Sequence, residues 1–349
     1  MMKLGAVVLV WLSTDGYWFG GSTATVGMQW AVGDAMPPAT LAWRLHAADI
    51  TLAEGQQPLP ADGSAGHAEI ALPRVRVPIA AQLVWRVDRV AKKEASPRPG
   101  SHVPQALAEG SLTAHLYPKS LLQGRASLLA GKQVIVWDNR DGLPAILEKA
   151  KLNVRVVSDE SELAFARPDL LIVAANRLNG RSAAQGQQRL MNLAANGSNV
   201  LVLAQSGGVV ANGIESSTHQ MLGYSLTMRQ LPRKLEWRED HPLACSLQLS
   251  EKPELPAFAW AIRIPAADPA LEIAWWPPEV LGRDLATTDA LVVTKAVQKG
   301  RITMCQVSLG PWQSDPRSQL FLVDAIDYLV SPVVPTPPIS KRLALQLQR

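Results

Sequence analysis

Between residues 131 and 208, short apolar runs alternate with helical stretches at a pitch that few folds accommodate. Val134-Ile135-Val136-Trp137 runs into a polar turn at 138–142. Residues 143–151 then place Leu143, Ile146, Leu147 and Ala150 at helical spacing. A second apolar run covers 154–157 and a third covers 170–174. Residues 183–195 form another helical segment, with Leu190, Met191, Leu193 and Ala194 for its buried face. Asn196-Gly197 stops it in the manner of a left-handed C-cap. The fourth run, 199–204, leads into Gln205-Ser206-Gly207-Gly208. Strands this continuously rich in Val, Ile and Leu belong to a parallel sheet buried on both faces and covered by helices on both. Ligands of such sheets collect beyond the carboxyl ends of the strands. Chemistry is therefore expected at 138–142, 175–180 and 205–209.

The 349 residues allow two domains of ordinary size. Lys and Arg total 34 against 30 Asp and Glu, a modest net charge of +4, and the basic residues are dispersed. Neither a nucleic-acid stripe nor a polybasic membrane patch is present. Trp is frequent (11) while Phe and Tyr are scarce (4 each), a balance that suits either sugar stacking or core packing. Cys245 and Cys305 make neither a disulfide framework nor a metal framework. Cys305 lies in a strand-like run and reads as a reduced core residue. His241 and Cys245 are four apart, but Pro242 intervenes and no further ligand clusters nearby. No metal site and no cofactor motif is read. Residues 1–16 are open to two readings, a short signal peptide or a buried strand. The first would make the protein periplasmic or secreted, the second cytoplasmic. The apolar stretch is too short to span a membrane.

From about residue 17 to 120 the pattern changes to period two, in short runs about ten residues apart, with Leu41, Trp43 and Leu45 on one face of the clearest example. That is the signature of an immunoglobulin-like antiparallel sandwich. Residues 92–110 read as an exposed loop that interrupts it. After Gly208 the chain is irregular. Residues 219–222 are expected to form a short helix, and 241–243 and 253–260 loops. Residues 271–276 read as a strand, and 290–295 and 301–307 as strands joined at Lys299-Gly300. Residues 315–329 read as an amphipathic helix capped by Asp315 with Pro316 following. The segment 332–349, rich in proline and then basic, reads as a loose terminus.

The fold class is thus α/β plus all-β: a sandwich over 17–120, an α/β domain over 121–331, and a tail. The α/β domain, with its strand-to-loop junction at 199–208, is similar to the class I glutamine amidotransferase, flavodoxin-like fold. That resemblance implies a nucleophilic Cys in a tight Gly-x-Cys-x-Gly elbow and a His and Glu after the late strand, which corresponds here to 302–307. The elbow here reads Ala204-Gln205-Ser206-Gly207-Gly208, and the late loop reads Leu309-Gly310-Pro311-Trp312-Gln313. Neither carries the catalytic set, so amidotransferase activity is not expected.

A sandwich followed by such a degenerate domain resembles the C-terminal accessory region of β-galactosidase-like, family 2 glycoside hydrolases. Tyr17-Trp18-Phe19-Gly20-Gly21-Ser22 is similar to the junction after the catalytic barrel of that family. Those enzymes need two facing carboxylates on a barrel of roughly 250 residues, and only about 16 residues precede this sandwich. The resemblance therefore implies a truncated, non-catalytic part that binds carbohydrate or packs against a catalytic glycosidase partner. Trp137, Asp138, Asn139, Arg140, Gln205 and Trp312 are the candidate contacts, being flat or polar groups at strand ends. Two alternatives stand beside it. One is a small hydrolase or isomerase similar to the trehalose-utilisation type. The other is a homo-oligomerisation scaffold using Trp275-Trp276-Pro277-Pro278 as an apolar patch.

Overall fold

The computed structural model describes residues 8–12, 16–30, 38–59, 65–90, 106–119, 121–138, 142–178, 183–205, 210–211, 214–215, 218–230, 236–238, 240–245, 258–265, 267–275, 286–307, 309 and 311–330. The chain divides into two compact units, Met1–Lys119 with Ser314–Pro316, and Ser120–Gln313 with Arg317–Arg349.

The first unit is a sandwich. Its strands are β1 (Val8–Leu12), β2 (Tyr17–Phe19), β3 (Thr23–Trp30), β4 (Ala39–Ala47), β5 (Ile50–Leu59), β6 (Ala65–Ala71), β7 (Ile79–Arg89) and β8 (Ala106–Tyr117). They form a sheet β1-β3-β6 and a sheet β2-β8-β7-β4-β5. Leu41, Leu45, Leu83, Val87, Ala114 and Leu116 alternate inward on the larger sheet and meet Ala24 and Ile70 of the smaller one. Two features differ from the expectation. Residues 106–110 belong to β8 rather than to a loop, because β7 offers a partner for them as far as Asp88↔Ala106. And β2 runs parallel to β8, Tyr17 facing His115, within an otherwise antiparallel sheet. One row crosses four strands at a single register: Gly55, Trp43, Trp85, Gly110. The glycines are there because the indoles lie against them. A Cβ on Gly55 would stand 2.7 Å from Trp43 Cζ2, and one on Gly110 2.5 Å from Trp85 Cζ2.

The second unit begins with β9 (Val134–Trp137), α1 (Leu143–Lys149), β10 (Val154–Val157), β11 (Leu170–Val173), α2 (Ala183–Ala195) and β12 (Asn199–Val202). Then come β13 (Val210–Ala211), β14 (Ile214–Glu215), β15 (Thr218–Met221), β16 (Tyr224–Gln230), β17 (Glu236–Trp237), α3 (Pro242–Cys245), β18 (Phe258–Pro265), β19 (Leu271–Trp275), β20 (Thr287–Val297), β21 (Gly300–Cys305) and α4 (Pro316–Val330). Strands β10-β9-β11-β12-β21 are parallel neighbours in that order. This is the flavodoxin-like order, with its switch point between β9 and β11. Antiparallel strands β20, β18, β16 and β15 extend the sheet. Leu143, Ile146 and Leu147 of α1 pack with Phe321, Leu322, Ile326 and Leu329 of α4 on one face. Leu190, Leu193 and Ala194 of α2 cover the other. The fold class is therefore an all-β sandwich plus an α/β unit with helices on both faces.

α2 ends as its sequence requires. Gly197 has φ 112°, Gly197 N donates to Ala194 O (2.9 Å) and Ser198 N to Leu193 O (3.0 Å). The expected helix at 219–222 is instead strand β15, whose residues pair with β16. The expected loop at 241–243 carries the start of the short helix α3, and the expected loop at 253–260 reaches into β18. Trp275 ends β19 and packs on the α2-side core, while residues 276–278 and the tail at 332–349 lie outside the described residues. Among the described residues no helix is long and apolar enough to cross a membrane.

Candidate functional site

Four parallel strand ends converge at Trp137, Val173, Val202 and Cys305. Backbone hydrogen bonds continue past them: Ala174 N donates to Trp137 O (2.8 Å), Asn176 N to Ala204 O (2.9 Å) and Asp138 N to Val157 O (3.1 Å). Gln205 closes the junction. It is 1% exposed, and its Oε1 accepts from Leu178 N (2.7 Å). Its Nε2 donates to Ala174 O (3.0 Å) and Leu203 O (2.5 Å), and its backbone N donates to Gln306 Oε1 (3.0 Å). The side chain of Gln205 thus ties the loop after β11 to the end of β12, and its backbone N–H ties that junction to the end of β21. The Nε2 of Gln306 is enclosed and has no hydrogen-bond partner among the described residues. Two neutral amides, Gln205 and Gln306, thus meet at the ends of β12 and β21.

Trp137 is 2% exposed, and its indole lies against α2 where Gly186 leaves room; a Cβ there would come within 2.9 Å of Cη2. The Arg177 guanidinium stands 5.2 Å from the ring centroid. Trp312 is 5% exposed and belongs to the core on the opposite face of the sheet, among the side chains of α1 and α4. Its carbonyl accepts from Gln319 Nε2 (2.7 Å). The two indoles therefore share no surface, and neither presents a flat face to solvent. Asp138 is half-buried beside Trp137. Asn139 and Arg140 lie outside the described residues, as does Ser206. Of the candidate contacts, the fold places Trp137 and Asp138 at the end of β9 and Gln205 at the end of β12, on the same edge of the sheet with β11 between them, and leaves Trp312 apart.

Cys305, the last residue of β21, is a free thiol buried in the α1/α4-side core. Burial pushes it up to about 12, so it stays protonated at neutral pH. Among the described residues no cluster of three or more His, Cys, Asp or Glu side chains could hold a metal ion. The sequence reading missed Gln306, although a lone Gln closing the apolar run 302–307 is a visible signal. It missed Asp289 likewise, a single carboxylate inside β20.

No protein-family model matches the chain, and no curated protein matches it. Solved structures that overlap it include a ThuA-like protein from Bacteroides uniformis, 12% identical, covering 57% of this chain and 90% of that one at a TM-score of 0.36. A CARDB domain from Pyrococcus furiosus, crystallised with two metal ions, is 7% identical and covers 34% of this chain and 99% of its own at a TM-score of 0.22. A complex of zinc glycoprotein with prolactin-inducible protein from human seminal plasma gives 12%, 34% and 99% at 0.19. Overlap at this level says nothing about activity, and the strand order and strand-end residues stand on their own.

Proposed function

We propose that this chain is a non-catalytic accessory protein, carbohydrate-binding or scaffolding, of the kind that accompanies a glycoside hydrolase. The observation that carries it is the Gln205–Gln306 amide pair at the strand ends. Amides neither take nor give a proton at neutral pH, and a nucleophile needs a base within hydrogen-bond reach. The nearby thiol, Cys305, is held protonated in the core. The burial of Trp137 and Trp312 in the chain's own cores withdraws both indoles from sugar stacking. Asp138, half-buried at the end of β9, is the remaining described polar candidate for a sugar contact.

The test is assay of the purified chain on a panel of nitrophenyl glycosides beside a glycan array. The expected result is no turnover. Turnover that persists through repurification overturns the proposal. Selective glycan binding weakened by Asp138→Ala assigns the sugar-binding form of the role to the β9 end. Co-elution with a catalytic glycosidase, without glycan binding, assigns the scaffolding form.

A further inference from the structure

Beyond the ends of β12 and β21, the antiparallel extension carries an ion cluster of unusual balance. Asp289 of β20 has a side chain 1% exposed. It accepts from two arginines on two other strands: Arg229 Nε of β16 at 2.6 Å, and Arg263 of β18 through Nε at 3.0 Å and Nη2 at 3.3 Å. The register explains the meeting. Arg263 is directly opposite Asp289, and Ser225 directly opposite Arg263. Arg229 follows Ser225 by four residues, so the period of two keeps it on the same face. Asp289 also lies two residues from Leu291, whose carbonyl accepts from Gln306 N (2.7 Å) at the end of β21. The cluster therefore stands on the carboxyl side of the parallel strands, where ligands of such sheets collect.

One bidentate arginine neutralises a buried carboxylate. Among the described residues the second leaves one positive charge in excess, and no second carboxylate pairs with either arginine. The carboxylate is sealed, while the two arginine side chains keep 35% and 34% of their surface in solvent. Arg229 uses only Nε on Asp289, which leaves both Nη groups free of it; Arg263 keeps Nη1. Asp289 thus orients two guanidiniums on side chains that remain about a third exposed. Planar forks held in place lose little entropy on taking up an oxyanion.

We infer that Arg229 and Arg263, positioned by Asp289, form a binding site for a small-molecule oxyanion, a carboxylate or phosphate group. The site stands independently of the accessory role proposed above. The probes are inorganic phosphate and succinate, exchanged for chloride at constant ionic strength, with the thermal midpoint and calorimetric binding as readouts. At ten times its dissociation constant a bound anion is expected to raise the midpoint by about 3 °C. Arg229→Gln is expected to weaken binding about tenfold or more. Arg229→Lys, which keeps the charge and loses the fork, is expected to weaken it by a smaller factor and guards against a folding defect in the first variant. A response to phosphate alone assigns a phosphate ester, and to succinate alone a carboxylate. A native protein that responds to neither anion more than to chloride overturns the site, and so does an equal response in the native protein and in Arg229→Gln.

Discussion

Gln205 and Gln306 look equivalent in composition and differ in what they hold. The Gln205 side chain satisfies the Leu178 N–H and two carbonyls, all inside a junction sealed from water. Gln205→Leu leaves those groups unpaired and is expected to cost about 2–4 kcal/mol. Gln306 offers one acceptor to Gln205 N and leaves its Nε2 unused, so Gln306→Leu is expected to cost about 1 kcal/mol. The urea midpoints of the two variants check this, and equal losses would contradict the amide's closing role. His241 gives a pH dependence. It is buried, takes a hydrogen bond from Leu243 N at Nδ1 (3.2 Å), and meets the Tyr328 ring edge-on at 4.7 Å. Burial, aided by Arg238 and Arg301 and opposed by Asp240, pushes its pKa from 6.5 down to about 4. The fold thus prefers the neutral ring. This contribution is complete above pH 6.5 and is lost as pH falls from there through about 4. His241→Gln is expected to flatten the stability profile across that window, as followed by urea midpoints; an unchanged slope would remove His241 as the cause.

Among the elements, closeness of backbone decides which residues are permitted. β21 starts where the turn after α2 passes beneath it, and a Cβ on Gly300 would stand 2.2 Å from Ser198 O and 2.5 Å from Ala194 O. Backbone atoms cannot rotate aside, so Gly300→Ala is expected to cost about 3 kcal/mol or more. In the sandwich, Gly110→Ala would press a methyl against the Trp85 ring edge. A side chain can yield, so the expected cost is about 1–2 kcal/mol. Denaturation midpoints compare the two, and the reverse order would show that the α2–β12 turn gives way more easily than an indole.

For the whole molecule, two compact units with separate cores make separate contributions to stability. Gly110→Ala is expected to lower the sandwich transition and leave the α/β transition in place, Gly300→Ala the reverse, with the double variant additive. Calorimetry resolves the transitions, and a single transition shifted by both variants would contradict this. The parallel strands, α2 with its glycine stop, and the Lys299-Gly300 turn were legible in the sequence because each is a local pattern: a run, a period or a cap. The same holds for the absence of a thiol from residues 204–208. Strand β15, the extension of β8 to Ala106 and the parallel β2 were not legible, because a strand needs a partner and the partner is remote. Trp137 and Trp312 read as candidate flat contacts at strand ends, since a sequence gives the residue type and not what lies over it; α2 at Gly186 covers the first and the core around α1 and α4 the second. The sequence by itself determined the fold class and the residue types at 204–208, which include no Cys. Only the tertiary structure could join Gln205 to Gln306, and Arg229 and Arg263 to Asp289, because hydrogen bonds between residues far apart in the chain depend on sheet register, which no local pattern records.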